Sequence, residues 1–224
     1  MPRPHALIVG AGPGLSAALA RRLAPSHDLT LAARNVAKLA DLAAETGAAT
    51  HALDAADPDA MEALFAALPA PLDVAVYNPS ARARGPVAEL DPGAVRRALE
   101  VTAYGAFLMG RLAARAMLAN PGPERGTILF TGASAGEKGF AQSAPFAMGK
   151  FAQRGLAQSM ARELHPKGIH VAWINVDGAI ATAPDGAFRR LDPDAIAASY
   201  MHLIGQPPSA WSSELTLRPM HETF

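Results

Sequence analysis

The chain has 224 residues, half of them hydrophobic, with 20 basic and 20 acidic side chains and a formal net charge of zero. That is enough for one large domain over 1–224, burying roughly 70–75% of its unfolded surface. The balanced charge lacks the basic excess of a nucleic-acid binder, and the absence of cysteine excludes disulfides and thiolate metal sites.

The first strand is read at 5–10, "HALIVG", directly after "MPRP". No apolar run with a small-residue cleavage site precedes it, so no secretory signal is seen and a cytoplasmic location is expected. No segment approaches 18 uninterrupted apolar residues, so no membrane span is expected. The seven histidines show no H-E-x-x-H or similar spacing, and no metal site is expected.

A glycine turn follows the strand, with Gly10, Gly12 and Gly14, and a helix over 14–24 begins at once. Glycine lets the backbone turn tightly and approach a diphosphate. The helix start at Leu15 offers open N–H groups and a partial positive charge. Ser16 stands where such turns often carry a third glycine. The second strand, 28–33, ends in "LAARN". NAD binders place a carboxylate about 20 residues past the turn, on the ribose hydroxyls. Here Arg34 lies there, followed by Asn35, while Asp28 sits at the far end of the strand. A guanidinium suits a 2′-phosphate, so NADP is favoured over NAD. The other reading of Arg34 is a solvated surface side chain.

Further strands are expected at 49–53, 72–77, 126–131, 169–176 and 214–217, and helices at 35–46, 58–67, 91–118, 143–165 and 192–204. Asn35 and Asp57 are helix caps, the latter with Pro58 at the first helical position, and Asp91-Pro92 and Asp192-Pro193 repeat that pattern. Pro166 and Gly168 close the fifth helix. Regular strand–helix alternation predicts an α/β, doubly wound Rossmann fold: a parallel sheet with helices on both faces and ligands at the carboxyl ends of its strands.

With the glycine turn, "YNPS" (77–80) and "FAMGK" (146–150) in this order, the chain resembles the short-chain dehydrogenase/reductase family over nearly its whole length. The resemblance implies a seven-stranded parallel sheet and a nicotinamide-dependent oxidoreductase that binds a small-molecule substrate. It also implies a homodimer or homotetramer through the helices at 91–118 and 143–165. It places the family's glycines on Gly10, Gly14 and Ser16, and Asp54 near the adenine, although Asp54 also suits a plain loop. Asn78, Pro79 and Ser80 fall on the family's Asn-Ala-Gly. Asn78 would brace the sheet and touch the cofactor, or serve only as a turn residue. Gly178, Ile180 and Thr182 fall on cofactor positions, and Lys150 would hold the ribose.

The family's catalytic Ser–Tyr–Lys set and supporting asparagine are altered here. Phe146 holds the tyrosine position, Thr102 the asparagine position, Ala133 or Ser134 the serine position, and Asp177 the proline position. The implied reaction transfers hydride to a carbonyl carbon while an acid protonates the oxygen, and a phenyl ring has no proton to give. Ser134 is the best-placed substitute by sequence. Ser143, seven residues before Lys150, and a water held by Ser134 and Lys150 are others; Tyr77 and Tyr104 read rather as packing residues. A reaction needing little acid help, on an imine or activated double bond, also fits. Two readings stay open: an NADP-dependent oxidoreductase with an altered proton-delivery group, or a cofactor-binding protein without turnover. Trp211 is either an interface anchor or a packing residue.

Overall fold

The computed structural model describes residues 3–69, 71–181 and 187–222. Seven strands form one parallel sheet: β1 (His5–Val9), β2 (Asp28–Ala33), β3 (Ala49–Ala52), β4 (Leu72–Tyr77), β5 (Gly126–Thr131), β6 (Ile169–Val176) and β7 (Glu214–Leu217). Their spatial order is β3-β2-β1-β4-β5-β6-β7. The order reverses between β1 and β4, so a crevice opens there at the carboxyl ends, where open α/β sheets take their ligands.

Strand periodicity sorts the core. Ala6 and Ile8 face one side of β1, with α1 (Leu15–Leu23) and α7 (Pro193–Ile204). Leu7 and Val9 face the other, with α3 (Pro58–Ala67), α5 (Gly105–Leu118) and α6 (Ala144–Leu164). Both β1 and β6 are buried along their full length, as expected of strands covered on two faces. Leu19 and Leu23, one helical turn apart on α1, are almost fully buried, each stabilising the fold by about 1.5–3 kcal/mol.

The expected caps form. Asn35 accepts from the Ala37 N–H, Asp57 from Asp59 and Ala60, Asp91 from Ala94, and Asp192 from Asp194. Gly168 closes the turn after α6 at φ 84°. Two helices differ from expectation. The one at 35–46 opens as a tight 3₁₀ turn, Val36–Leu39, before α2 (Ala40–Thr46). The long helix at 91–118 is broken into α4 (Pro92–Leu99) and α5 by a wide π turn over Glu100–Tyr104. A π turn frees main-chain carbonyls from the helical ladder. Here the Tyr77 hydroxyl donates to the Val101 carbonyl, and the Gln153 amide donates to that of Thr102 at 3.4 Å.

The short edge strand β7 is tied to α6. Arg154 forks onto Glu214 through two bonds of 2.9 and 2.6 Å, and Gln158 adds a third at 2.6 Å. Trp211, just before β7, stacks on His170 with centroids 5.1 Å apart and donates to the Gln206 carbonyl at 3.0 Å. Its packing role is thus satisfied within the chain.

Candidate active site

The glycine turn sits at the tip of β1. Gly10 has φ 81°, and a Cβ there would lie 2.7 Å from the Pro79 ring, so only glycine fits under that proline. A Cβ on Gly12 or Gly14 would meet nothing within 4 Å. Those two positions border open space, which is what a diphosphate lying against the main chain requires. Leu15 opens α1 with its side chain buried, and no side chain caps the helix start. Its first N–H groups therefore have no side-chain cap, an arrangement suited to an anion. Asn78 fastens this turn to β4: its amide donates to Ser16 Oγ at 2.8 Å and to the Gly10 carbonyl at 3.3 Å, and Ser16 donates to the same carbonyl at 3.2 Å.

A cavity of about 690 Å³ extends from this turn across the tip of β2. Arg34, Asn35, Lys38, Asp54 and Arg97 are among its walls. Arg34 and Lys38 make it positive on the side where a ribose phosphate would lie. Asp54 accepts from the Ala56 N–H at 3.1 Å and pairs with Arg97. Burial works to raise its pKa, but these bonds and the nearby guanidiniums hold the carboxyl below its usual range. Glycines without neighbours, an uncapped helix start and two cations are together a donor set that could hold the phosphates of a dinucleotide.

A second cavity, about 790 Å³, lies over β5, β6 and the start of α6. Asn78 and Ser80 line both cavities, so the two meet at the switch point. Lys150 lies on its floor, only 2% exposed. Its ammonium donates to the Thr131 carbonyl at 2.5 Å and to Gln153 Oε1 at 3.1 Å. Burial, with the nearby Arg82 charge, pushes its pKa down to about 7. Gln153 carries the chain of bonds on to the Thr102 carbonyl in the π turn. The Thr102 side chain itself faces the loop after β4, where Oγ1 accepts from the Ala81 N–H at 3.0 Å. Gly149 is needed here, because a Cβ would lie 2.8 Å from Thr102 Cβ.

Phe146 is 5% exposed and lines the chamber. The Arg82 guanidinium lies over its ring, 4.0 Å from the centroid, a contact generally worth about 0.5–2 kcal/mol. Burial lowers the Arg82 pKa, as does the neighbouring Arg84 charge. Ser134, in a 3₁₀ turn after β5, also lines the chamber. Its hydroxyl bonds to the Asp177 carboxylate, which pairs with Arg218 as well. Burial raises Asp177, but Ser134 and Arg218 outweigh it and the carboxyl stays ionised below its usual range. A hydroxyl beside a carboxylate donates its proton there. Ser134 therefore turns lone pairs, not a proton, toward the cavity. The Tyr77 hydroxyl is spent on Val101, and burial raises its pKa strongly. Tyr104 is 45% exposed and stacks on Phe107. Ser143, before α6, lines the chamber without capping the helix.

Gly178, at φ 149°, and Ile180 form the rim beyond β6. Thr182 lies outside the described residues. The sequence reading missed Arg82, Arg84 and Gln153. Gln153 had a signal, three residues after Lys150 on one helical face; "SARARG" is a faint one for the arginines.

The model of the short chain dehydrogenase family matches residues 4–190. The chain belongs to that family. A short-chain dehydrogenase from Rhodopseudomonas palustris is 36% identical, with TM-score 0.85, over 98% of this chain and 100% of its own. A metagenomic short-chain oxidoreductase, solved in complex with NADP, is 28% identical with TM-score 0.86, over 98% of this chain and 99% of its own. The 3-dehydrosphinganine reductase TSC10B of Arabidopsis thaliana is 29% identical over 75% of this short-chain dehydrogenase, which spans only about half, 52%, of that relative's length. Among the described residues, no helix is long and apolar enough to cross a membrane.

Proposed function

We propose that this short-chain dehydrogenase is an NADP(H)-dependent oxidoreductase that reduces a carbonyl, imine or activated double bond without a tyrosine acid. One observation carries the reading: the two cavities join at Asn78 and Ser80, so a dinucleotide on the glycine turn reaches the chamber of Lys150 and Phe146. Gly10, Gly12, Gly14 and Leu15 would hold the diphosphate, with Arg34 and Asn35 on the adenosine side. Lys150, Asn78 and Ile180 would line the nicotinamide side. NADPH, when bound, supplies hydride. The NADP complex of the metagenomic relative supports this choice.

The chain's own part is to bind, orient and offset charge. Phe146 gives the substrate an apolar wall and seats Arg82, whose N–H groups stabilise negative charge on an oxygen above the ring. Water supplies the final proton. Lys150, titrating near neutrality, holds hydroxyl groups and the local field rather than a neighbouring phenol. The apolar surface of Tyr104, Phe107, Met148 and Phe151 on the helical faces supports a homo-oligomer through α5 and α6.

A second reading, a nucleotide-binding protein without turnover, draws on the engaged state of the substituted positions: Thr102 on Ala81 and Ser134 on Asp177. Titration with NADPH and NADH, followed by single-turnover oxidation with ketones, enones and imines, separates the two. We expect tight NADPH binding and oxidation by at least one class. Binding with no oxidation across the panel would leave only the second reading.

A further inference from the structure

Arg82 and Arg84 stand two residues apart in the loop after β4, and both line the Phe146 chamber. No aspartate or glutamate does so among the described residues, and Lys150 adds a third cation. Three other guanidiniums meet carboxylates: Arg97 has Asp54, Arg154 has Glu214 and Arg218 has Asp177. Among the described residues, Arg82 and Arg84 have no such partner, and the Arg82 head rests on an aromatic face instead. Two like charges held together at the mouth of a cavity repel each other unless an anion joins them.

We propose that the substrate of this chamber carries a carboxylate or phosphate group gripped by Arg82 and Arg84, with its apolar body against Phe146 and Phe140. The inference rests on the chamber being the substrate site of the reading above. Guanidinium forks match planar or tetrahedral oxyanions in bidentate fashion, which a lysine pair does not. The pair is also separate from the phosphate cradle. Neither arginine lines the cavity of Gly12 and Arg34, so a diphosphate held on the glycine turn does not account for them, and the nicotinamide that would reach their chamber brings no anionic group. Phe146 then has a positive role: its ring face fixes the first guanidinium.

The test is calorimetric titration of phenylpyruvate, phenylpyruvamide and phenyl phosphate into the protein, alone and saturated with NADP. The wild type should bind one of the anions at least tenfold more tightly than the neutral amide. Phenylpyruvate ahead assigns the grip to a carboxylate, and phenyl phosphate ahead to a phosphate. The double variant Arg82→Gln/Arg84→Gln should lose that preference while keeping its NADPH affinity within threefold. Both side chains are exposed, so the variant should fold; Arg84→Gln alone should lose part of the preference. Equal binding of amide and anions, or no binding of any probe, overturns the proposal. So does a double variant that keeps the preference, or one that loses NADPH affinity instead. Because the readout is anion binding, a protein that never oxidises NADPH would sink the oxidoreductase reading and leave this one standing or falling separately.

Discussion

Around Gly10–Leu15 the cleft wall is mainly main chain; around Lys150 it is side chains drawn from four parts of the fold. The nucleotide end uses φ at Gly10, open space at Gly12 and Gly14, and an uncapped helix start. The reaction end uses Arg82 from the loop after β4, Ser134 from a 3₁₀ turn, Phe146 and Lys150 from α6, and Ile180 from beyond β6. A wall of main chain keeps its chemistry under most substitutions. A wall of side chains can exchange its chemistry while the backbone stays. The positions that the family resemblance assigns to the altered catalytic set are engaged within the protein: Thr102 on Ala81, Ser134 on Asp177, and Phe146 under Arg82. On the proposed reading the reaction end is a rebuilt site, with these side chains already hydrogen-bonded or packed.

The largest test of that contrast is Phe146→Tyr. The ring position is buried at the chamber wall, one helical turn from Lys150. A phenol there should raise single-turnover ketone reduction by about 10²–10⁴-fold, the usual worth of a positioned acid, with NADPH affinity unchanged. No gain would mean that the rebuilt end no longer places a carbonyl against this ring. The contrast would then be one of substrate geometry as well as of acid chemistry.

Next in size is the pH response of Lys150. Its folded pKa, about 7, lies below the unfolded value near 10.4. Between those values the unfolded chain binds more protons, so stability should rise with pH from about 7 toward 10, by at most about 1.4 kcal/mol per unit. Below pH 7 both states are protonated and this slope vanishes. Lys150→Met, compared with wild type by denaturant unfolding at several pH values, should flatten the rise. Parallel curves would show that the ammonium is not titrating in its buried place.

The two ends also differ in how far the sequence foretold them. Strand positions, Pro-flanked aspartate caps and the glycine turn depend on neighbours a few residues away, so periodicity and turn chemistry reveal them. The π turn at Glu100–Tyr104 looks like ordinary helix in sequence, because what holds it, Tyr77 and Gln153, arrives from other elements. The Ser134–Asp177–Arg218 set joins three distant segments and has no local pattern. Arg82 on Phe146 spans 64 residues, 146 − 82, and only packing brings the two together. The family resemblance assigns its tyrosine to position 146; the guanidinium that packs on the ring there has no local pattern in the sequence.

A smaller effect is expected of Arg34→Ala. If the positive wall at β2 reads a 2′-phosphate, NADPH affinity should drop ten- to a hundred-fold, since charge-assisted hydrogen bonds are worth about 1.5–3 kcal/mol. NADH affinity should move less than threefold. Equal losses for both nucleotides would make Arg34 a general phosphate or stacking contact and remove the basis for preferring NADP.

The smallest change is expected of Arg97→Gln, and it examines the claim that main chain governs the nucleotide end. Arg97 pairs with Asp54, with side chains 44% and 40% exposed, and exposed pairs contribute about 0–1 kcal/mol. Asp54 also accepts from the Ala56 N–H, and that turn does not depend on the arginine. Unfolding free energy should fall by less than about 1 kcal/mol, and NADPH affinity should stay within threefold. A larger loss of affinity would mean that the Asp54–Arg97 pair shapes the adenine side. The nucleotide end would then depend on a side-chain network too, and be as open to rebuilding as the end that holds Phe146.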